Sequence, residues 1–155
     1  MIGGGQPLYA DSTFGVLMAE YQPKWTKQDY EAVAEVLHNT EMTTEEQDNL
    51  LDDFGSLFIR DNSRFDFGRF RAAVYRGELT HRSHYPPKWT TRDFRVIAEI
   101  LKIGKESGWL SDGSHARLVS EFAEKSMRMN PNFKREMFEK AARRRVHVGA
   151  YRRVR

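Results

Sequence analysis

The densest set of chemically capable side chains lies at residues 140–155, which read KAARRRVHVGAYRRVR. Lys140, Arg143, Arg144, Arg145, Arg152, Arg153 and Arg155 stand there with no aspartate or glutamate among them. Guanidinium groups fork onto phosphate oxygens and stack on flat π systems, and a chain that neutralises several phosphates gains affinity by releasing condensed counterions. Tyr151, next to Arg152 and Arg153, carries a ring on which an exposed base can stack. Together they form a candidate nucleic-acid contact. Two plainer roles stand beside it: a solubilising tail, and a strap folded back on an acidic surface.

Other reactive types are present without the spacing that chemistry needs. There is no cysteine, so disulfides, thiolate metal sites and thiol nucleophiles are excluded. His81 and His84 have helical spacing but sit beside Pro86 and Pro87 with no acidic or cysteine partner, and His38, His115 and His147 show no ligand pattern. Glu35 and Glu99 recur at matched places and read as solvated helix faces, a meeting across a symmetric interface being the sharper alternative. Arg60 and Arg128 each precede an asparagine by two residues at a helix end. There they oppose the helix dipole, worth about 0.3–1 kcal/mol, or grip an anion. Gly3 to Gly5 lack the strand, lysine and helix of a phosphate loop, and no GxSxG elbow occurs. The expectation is a non-enzymatic protein with no cofactor and no metal.

The elements that must position these residues are announced by an internal repeat. YQPKWTKQDYEAVAEVL, starting at Tyr21, returns 64 residues later as YPPKWTTRDFRVIAEIL, starting at Tyr85. Between Pro23 and Leu37, 8 of 15 positions are identical to their counterparts, where unrelated sequence gives roughly one. Thr26 with Asp29, and Thr90 with Asp93, have capping-box spacing, flanked by the hydrophobic staples Trp25/Tyr30 and Trp89/Phe94. Trp25 and Trp89 are thereby better explained as folding devices than as ligand anchors. Tyr30, Val33, Ala34 and Leu37 then fall on one helical stripe, as do Phe94, Ile97, Ala98 and Leu101.

A second helix is predicted after a cap at Thr43 or Thr44, with Leu50, Leu51, Phe54, Leu57 and Phe58 on its apolar side. Its counterpart carries Leu118, Val119 and Phe122, at an offset of 68, so four extra residues fall within KIGKESGWLSDG, where a longer loop is expected. Third helices follow the breakers after Asp61 and Met129, and Gly77 ends the first set. The fold is therefore expected to be all-α: two tandem three-helix units packed together, related by a pseudo-twofold or a translation. The boundaries are a flexible arm at 1–20, an acidic unit at 21–78, a linker at 79–84, a basic unit at 85–145 and a basic tail at 146–155.

Charge divides the same way. Residues 1–80 hold 7 Lys and Arg against 14 Asp and Glu, a balance of −7, and residues 81–155 hold 18 against 8, a balance of +10. Opposite charge on related halves points to an acidic or nucleic-acid partner, to packing of one half on the other, or to both. No apolar run approaches a membrane span, and the first residues lack the basic head and apolar core of a signal peptide, so a cytoplasmic protein is expected.

The string DNSRFDFGRFRAAV at 61–74 is similar to the DNPRFDRERFLAA type of ending in short, uncharacterised helical proteins of actinobacteriophages and actinobacterial plasmids. The second half keeps Asn130, Pro131, Phe133 and Phe138, with Lys134 where the pattern has an acid. The resemblance implies a mobile-element origin, a bacterial host cell and a small helical fold. It transfers no activity to a residue.

The functional expectation is a binding protein whose basic second half contacts nucleic-acid backbone. Its rival is a module that binds a host protein through Leu57, Phe58 and Ile59, whose counterparts are partly polar and which could instead dock on the other half, or through Trp109 in the inserted stretch. A larger private core in the first unit is the plainer account of that apolar run. Self-assembly of acidic half onto basic half is a third arrangement.

Overall fold

Side-chain acceptors placed just before apolar stripes set the starts of most of the helices. The computed structural model describes residues 25–77 and 89–143, and among them the chain is all-helical. The six helices are α1 (Lys27–Asn39), α2 (Thr44–Asp61), α3 (Phe67–Arg76), α4 (Thr91–Glu106), α5 (Asp112–Met129) and α6 (Arg135–Arg143). The expected arm, linker and tail lie outside the described residues.

Asp29 Oδ2 accepts from Thr26 N at 2.6 Å at the start of α1, and Asp93 Oδ2 accepts from Thr90 N at 2.7 Å at the start of α4. Thr43, not Thr44, caps α2: its Oγ1 accepts from Glu46 N at 3.1 Å. Ser111 caps α5 and Asp66 caps α3 in the same manner. Each such cap satisfies an otherwise orphan N–H and is worth about 1 kcal/mol. Gly77, at φ +70°, closes α3 in the left-handed conformation that glycine adopts without strain.

The four extra residues of the second half do not simply lengthen a loop. α4 runs to Glu106, three residues past the position matching the end of α1, because Gly104, Lys105 and Glu106 continue the helix until Gly108 turns at φ +90°. Trp109 then folds back: a Cβ on Gly104 would lie 2.9 Å from Trp109 Cη2. The glycine is the seat on which the indole packs.

The core is continuous through both halves of the chain. Val33, Ala34 and Leu37 of α1, and Ile97, Ala98 and Leu101 of α4, are buried along the stripes read from the sequence. α1 packs chiefly on α3 and α4 chiefly on α6, while α1 also meets α5 and α2 meets α4. Two aromatic pairs bridge the halves, Trp25 with Trp89 at 6.4 Å and Phe54 with Phe122 at 5.9 Å between ring centroids. Burying rings of this size stabilises by about 1.5–3 kcal/mol each, so the halves are joined by core rather than by rim.

Leu57 and Phe58 belong to that core, at 1% and 0% exposure, and present nothing to a separate partner. Phe58 touches Trp25, Tyr30, Phe65 and Phe70. Of the expected docking run only Ile59 is exposed, at 48%.

Candidate functional site

Two pockets of similar construction open on the two halves. One, of about 260 Å³, lies between α1 and α3 around Tyr30, Phe65 and Phe70. The other, of about 320 Å³, lies between α4 and α6 around Phe94, Phe133 and Phe138. Every residue lining the first has its sequence counterpart lining the second, at offsets of 64 on α1/α4 and 68 thereafter. Both pockets therefore share one local construction: two packed helices and aromatic rings, with the asparagine-led turn as one wall. In that turn Asn62 Oδ1 accepts from Arg64 N, and Asn130 Oδ1 from Asn132 N, each at 2.9 Å.

Their chemistry differs. At the rim of the first pocket stand Glu31 and Asp66, alongside Lys27, Arg64 and Arg69. Asp66 caps α3 and pairs with Arg69 at 3.8 Å, so part of this charge is internally spent. In the second pocket the two acids are replaced by Arg95 and Lys134, and no acid lines it. Both cations are exposed and make no ion pair among the described residues. Lys134 occupies the position from which Asp66 caps its helix, and a lysine has no oxygen to offer an N–H. Where α3 has a stabilising cap, α6 has a positive charge.

A second polar change accompanies the first. Asn62 Nδ2 donates to the Tyr30 hydroxyl at 3.3 Å, and that hydroxyl donates to Trp25 O at 3.1 Å. Phe94 replaces the tyrosine in the second pocket, so Asn130 Nδ2 has no such acceptor and remains a donor beside the cavity. The site can hold a small flat or apolar group on its aromatic floor and an anion at its rim.

Of the candidate nucleic-acid residues, Lys140 and Arg143 are exposed on α6, Arg143 pairing with Glu139 at 3.5 Å. Arg144, Arg145, Tyr151, Arg152, Arg153 and Arg155 lie outside the described residues, as do His81, His84 and His147. Residues 89–143 carry 11 Lys and Arg against 8 Asp and Glu, a balance of only +3. Arg60 and Arg128 stand exposed in the last turns of α2 and α5, where the dipole favours a cation. Trp109 is half-buried against Gly104 rather than displayed as an anchor. Lys134 was noted in the sequence only as a lysine in place of an acid, and its pairing with Arg95 in one site was missed because the two are distant in the chain. The available signal was a reversal of charge at both matched positions.

The remaining polar groups serve the fold. His38 Nδ1 meets Val74 O at 2.9 Å and His115 Nε2 meets Ala142 O at 3.0 Å. Burial pushes the His115 pKa down, while its bond to Ala142 O works against that shift. Asp29 is raised by burial and, further, by the charge of Asp93; its bonds from Thr26 work against that shift. The buried Trp89 N–H lies outside good hydrogen-bond geometry but near enough to Asp29 to favour its charged form. Among the described residues no His, Asp and Glu group is placed to hold a metal, and no helix is long and apolar enough to cross a membrane. The chain matches no protein-family model, no curated protein and no solved structure.

Proposed function

We propose that this is a non-enzymatic nucleic-acid-binding protein of mobile-element origin, acting in the cytoplasm of a bacterial host through its basic second half. The observation that carries the reading is the replacement of Glu31 and Asp66 by Arg95 and Lys134 at matched rims, on the same half as exposed Lys140 and the arginine-dense run that follows it. Backbone contacts by such cations give affinity that falls steeply with salt.

The six helices are read as two copies of one three-helix unit about a pseudo-twofold axis. Three features support this: the reciprocal contacts of α1 with α5 and α2 with α4, the pairing of matched residues Trp25 with Trp89 and Phe54 with Phe122, and the matched pockets. One copy keeps the acidic surface and the other has become the binding face.

Anisotropy titration of the full chain against labelled DNA and RNA over a range of salt tests the function. Replacing Arg144, Arg145, Arg152, Arg153 and Arg155 by glutamine should weaken binding by about tenfold or more and flatten the salt dependence. Absent or salt-insensitive binding by the parent rejects the proposal. A second reading, a protein-interaction module, draws on Ile59 and Met127, matched positions that are both 48% exposed. One stoichiometric protein retained from nuclease-treated lysate, and lost with Ile59→Ser and Met127→Ser, would favour it.

A further inference from the structure

We infer that the pocket between α4 and α6 receives an unpaired nucleotide, its base on the aromatic floor and its phosphate between Arg95 and Lys134, so that the protein prefers single strands to duplex. The inference rests on the nucleic-acid reading above and assigns it a specific site. At about 320 Å³ the cavity stands at the small end of ligand pockets, which run from about 300 to 1,000 Å³. It has room for one planar group rather than an extended ligand.

Its floor is built from buried Phe94 and Phe138 and partly exposed Phe133, which is held edge-on to Phe94 at 4.5 Å between centroids and offers the accessible ring. A π surface fixed by neighbours loses little entropy when a base settles on it, and each base stacked on an aromatic ring contributes about 1–3 kcal/mol. Paired bases in a duplex cannot reach such a floor. The Asn130 Nδ2 donor, released by the loss of the tyrosine hydroxyl, faces a ligand class rich in acceptors on its base edges. Arg95 comes from α4 and Lys134 from the turn before α6, so the fold brings two unpaired cations to one rim. Lys140 is a further exposed cation on α6.

The matched pocket sharpens the chemistry. Its Glu31 and Asp66 would repel a phosphate at the two places where the second pocket attracts one. The first pocket mixes these two acids with Lys27, Arg64 and Arg69, whereas the second is lined by cations alone, so the first is an internal comparison of similar construction with acids at the two matched places.

Anisotropy titrations of the full chain with a labelled thymidine single strand and a duplex of equal length decide the matter. Single strand should bind about tenfold more tightly than duplex. The double variant Arg95→Glu with Lys134→Asp, which installs the two acids of the first pocket, should remove that preference. Ala141→Leu, which fills the cavity and changes no charge, should do so as well, and melting curves confirm that each variant folds. Equal affinity for strand and duplex, or variants that bind the strand as the parent does, would overturn the pocket assignment while leaving backbone binding intact. No binding of either nucleic acid would remove the functional reading itself. Capture of an acidic aromatic peptide in place of nucleic acid, lost in the double variant, would assign the pocket to a protein partner and so overturn it too.

Discussion

Lys125 Nζ lies 2.5 Å from Glu35 Oε1 and ties α5 of the second half to α1 of the first. Lys125 stands where the first half has Leu57, and Glu99, the counterpart of Glu35, takes Lys102 of its own helix instead. The apolar-to-charged divergence at this position is thus an ion pair between halves.

Lys125→Met should therefore cost about 1 kcal/mol in urea unfolding, since the methionine keeps the packing of the stem and loses the charge. The loss should shrink in high salt, and a double-mutant cycle with Glu35→Gln should return most of it as coupling. Additive single and double effects would mean that the contact contributes nothing.

Glu46 is a more costly residue to change. Its carboxylate accepts from Thr43 N at 3.0 Å, from Ser111 N at 2.7 Å and from Ser114 Oγ at 2.7 Å, serving the starts of both α2 and α5. Although burial works the other way, these bonds hold its pKa at about 2. Glu46→Gln should destabilise by about 1–3 kcal/mol, because a buried amide N–H₂ would face donors. The parent should lose this stabilisation in acid. A carboxylate with a depressed folded pKa contributes fully above its ordinary 4.5, and the contribution drains away as pH falls toward 2. Parent and variant stabilities should converge over that window.

Asp53 has the opposite sign. Burial, with the Asp52 charge adding to it, pushes its pKa up to about 7. The folded state then holds a proton that the unfolded chain releases near 3.8, so the cost is absent below that pH, grows as pH rises and is complete above about 7. Asp53→Asn should stabilise at about pH 8, on the order of 1–2 kcal/mol after allowing for screening at a half-buried site. The gain should vanish toward pH 4. A gain independent of pH would point to packing instead.

Gly104→Ala should destabilise despite the better helix propensity of alanine, because the added Cβ meets Trp109 at 2.9 Å and Leu110 Cβ at 3.3 Å. A net loss of about 1–3 kcal/mol is expected, with a red shift in tryptophan emission as the indole is displaced. Unchanged emission with raised stability would show that the indole adapts freely.

Helix starts and apolar faces were legible in the sequence because both are local: Thr26 with Asp29, Thr90 with Asp93, and the Leu37 and Leu101 stripes act within a turn or two. The extension of α4 was missed because residues 104–106 suit a helix as well as a loop, and a tertiary contact from Trp109 decides between them. Exposure is not written in residue type, so Leu57 could be read as core or as an anchor and Trp109 as an anchor; Leu57 proves to be core, its plainer reading, and Trp109 half-buried. The cap of α2 was legible as Thr43 or Thr44, but the service of Glu46 to Ser111 crosses from one half to the other and only folding brings the two together. Arg95 and Lys134 follow the same rule.

Sharing one carboxylate between two helix starts also governs partner choice. Glu46 and Ser114 are matched positions in contact with each other. Two first halves placed face to face would set glutamate against glutamate, and two second halves would leave both Ser111 amides without a carboxylate. Each half is complementary to the other and mismatched with itself. Expressed as separate chains, they should assemble as a mixed pair in preference to either self-pair, which turns a sequence that repeats itself into a lock that accepts only the unlike copy.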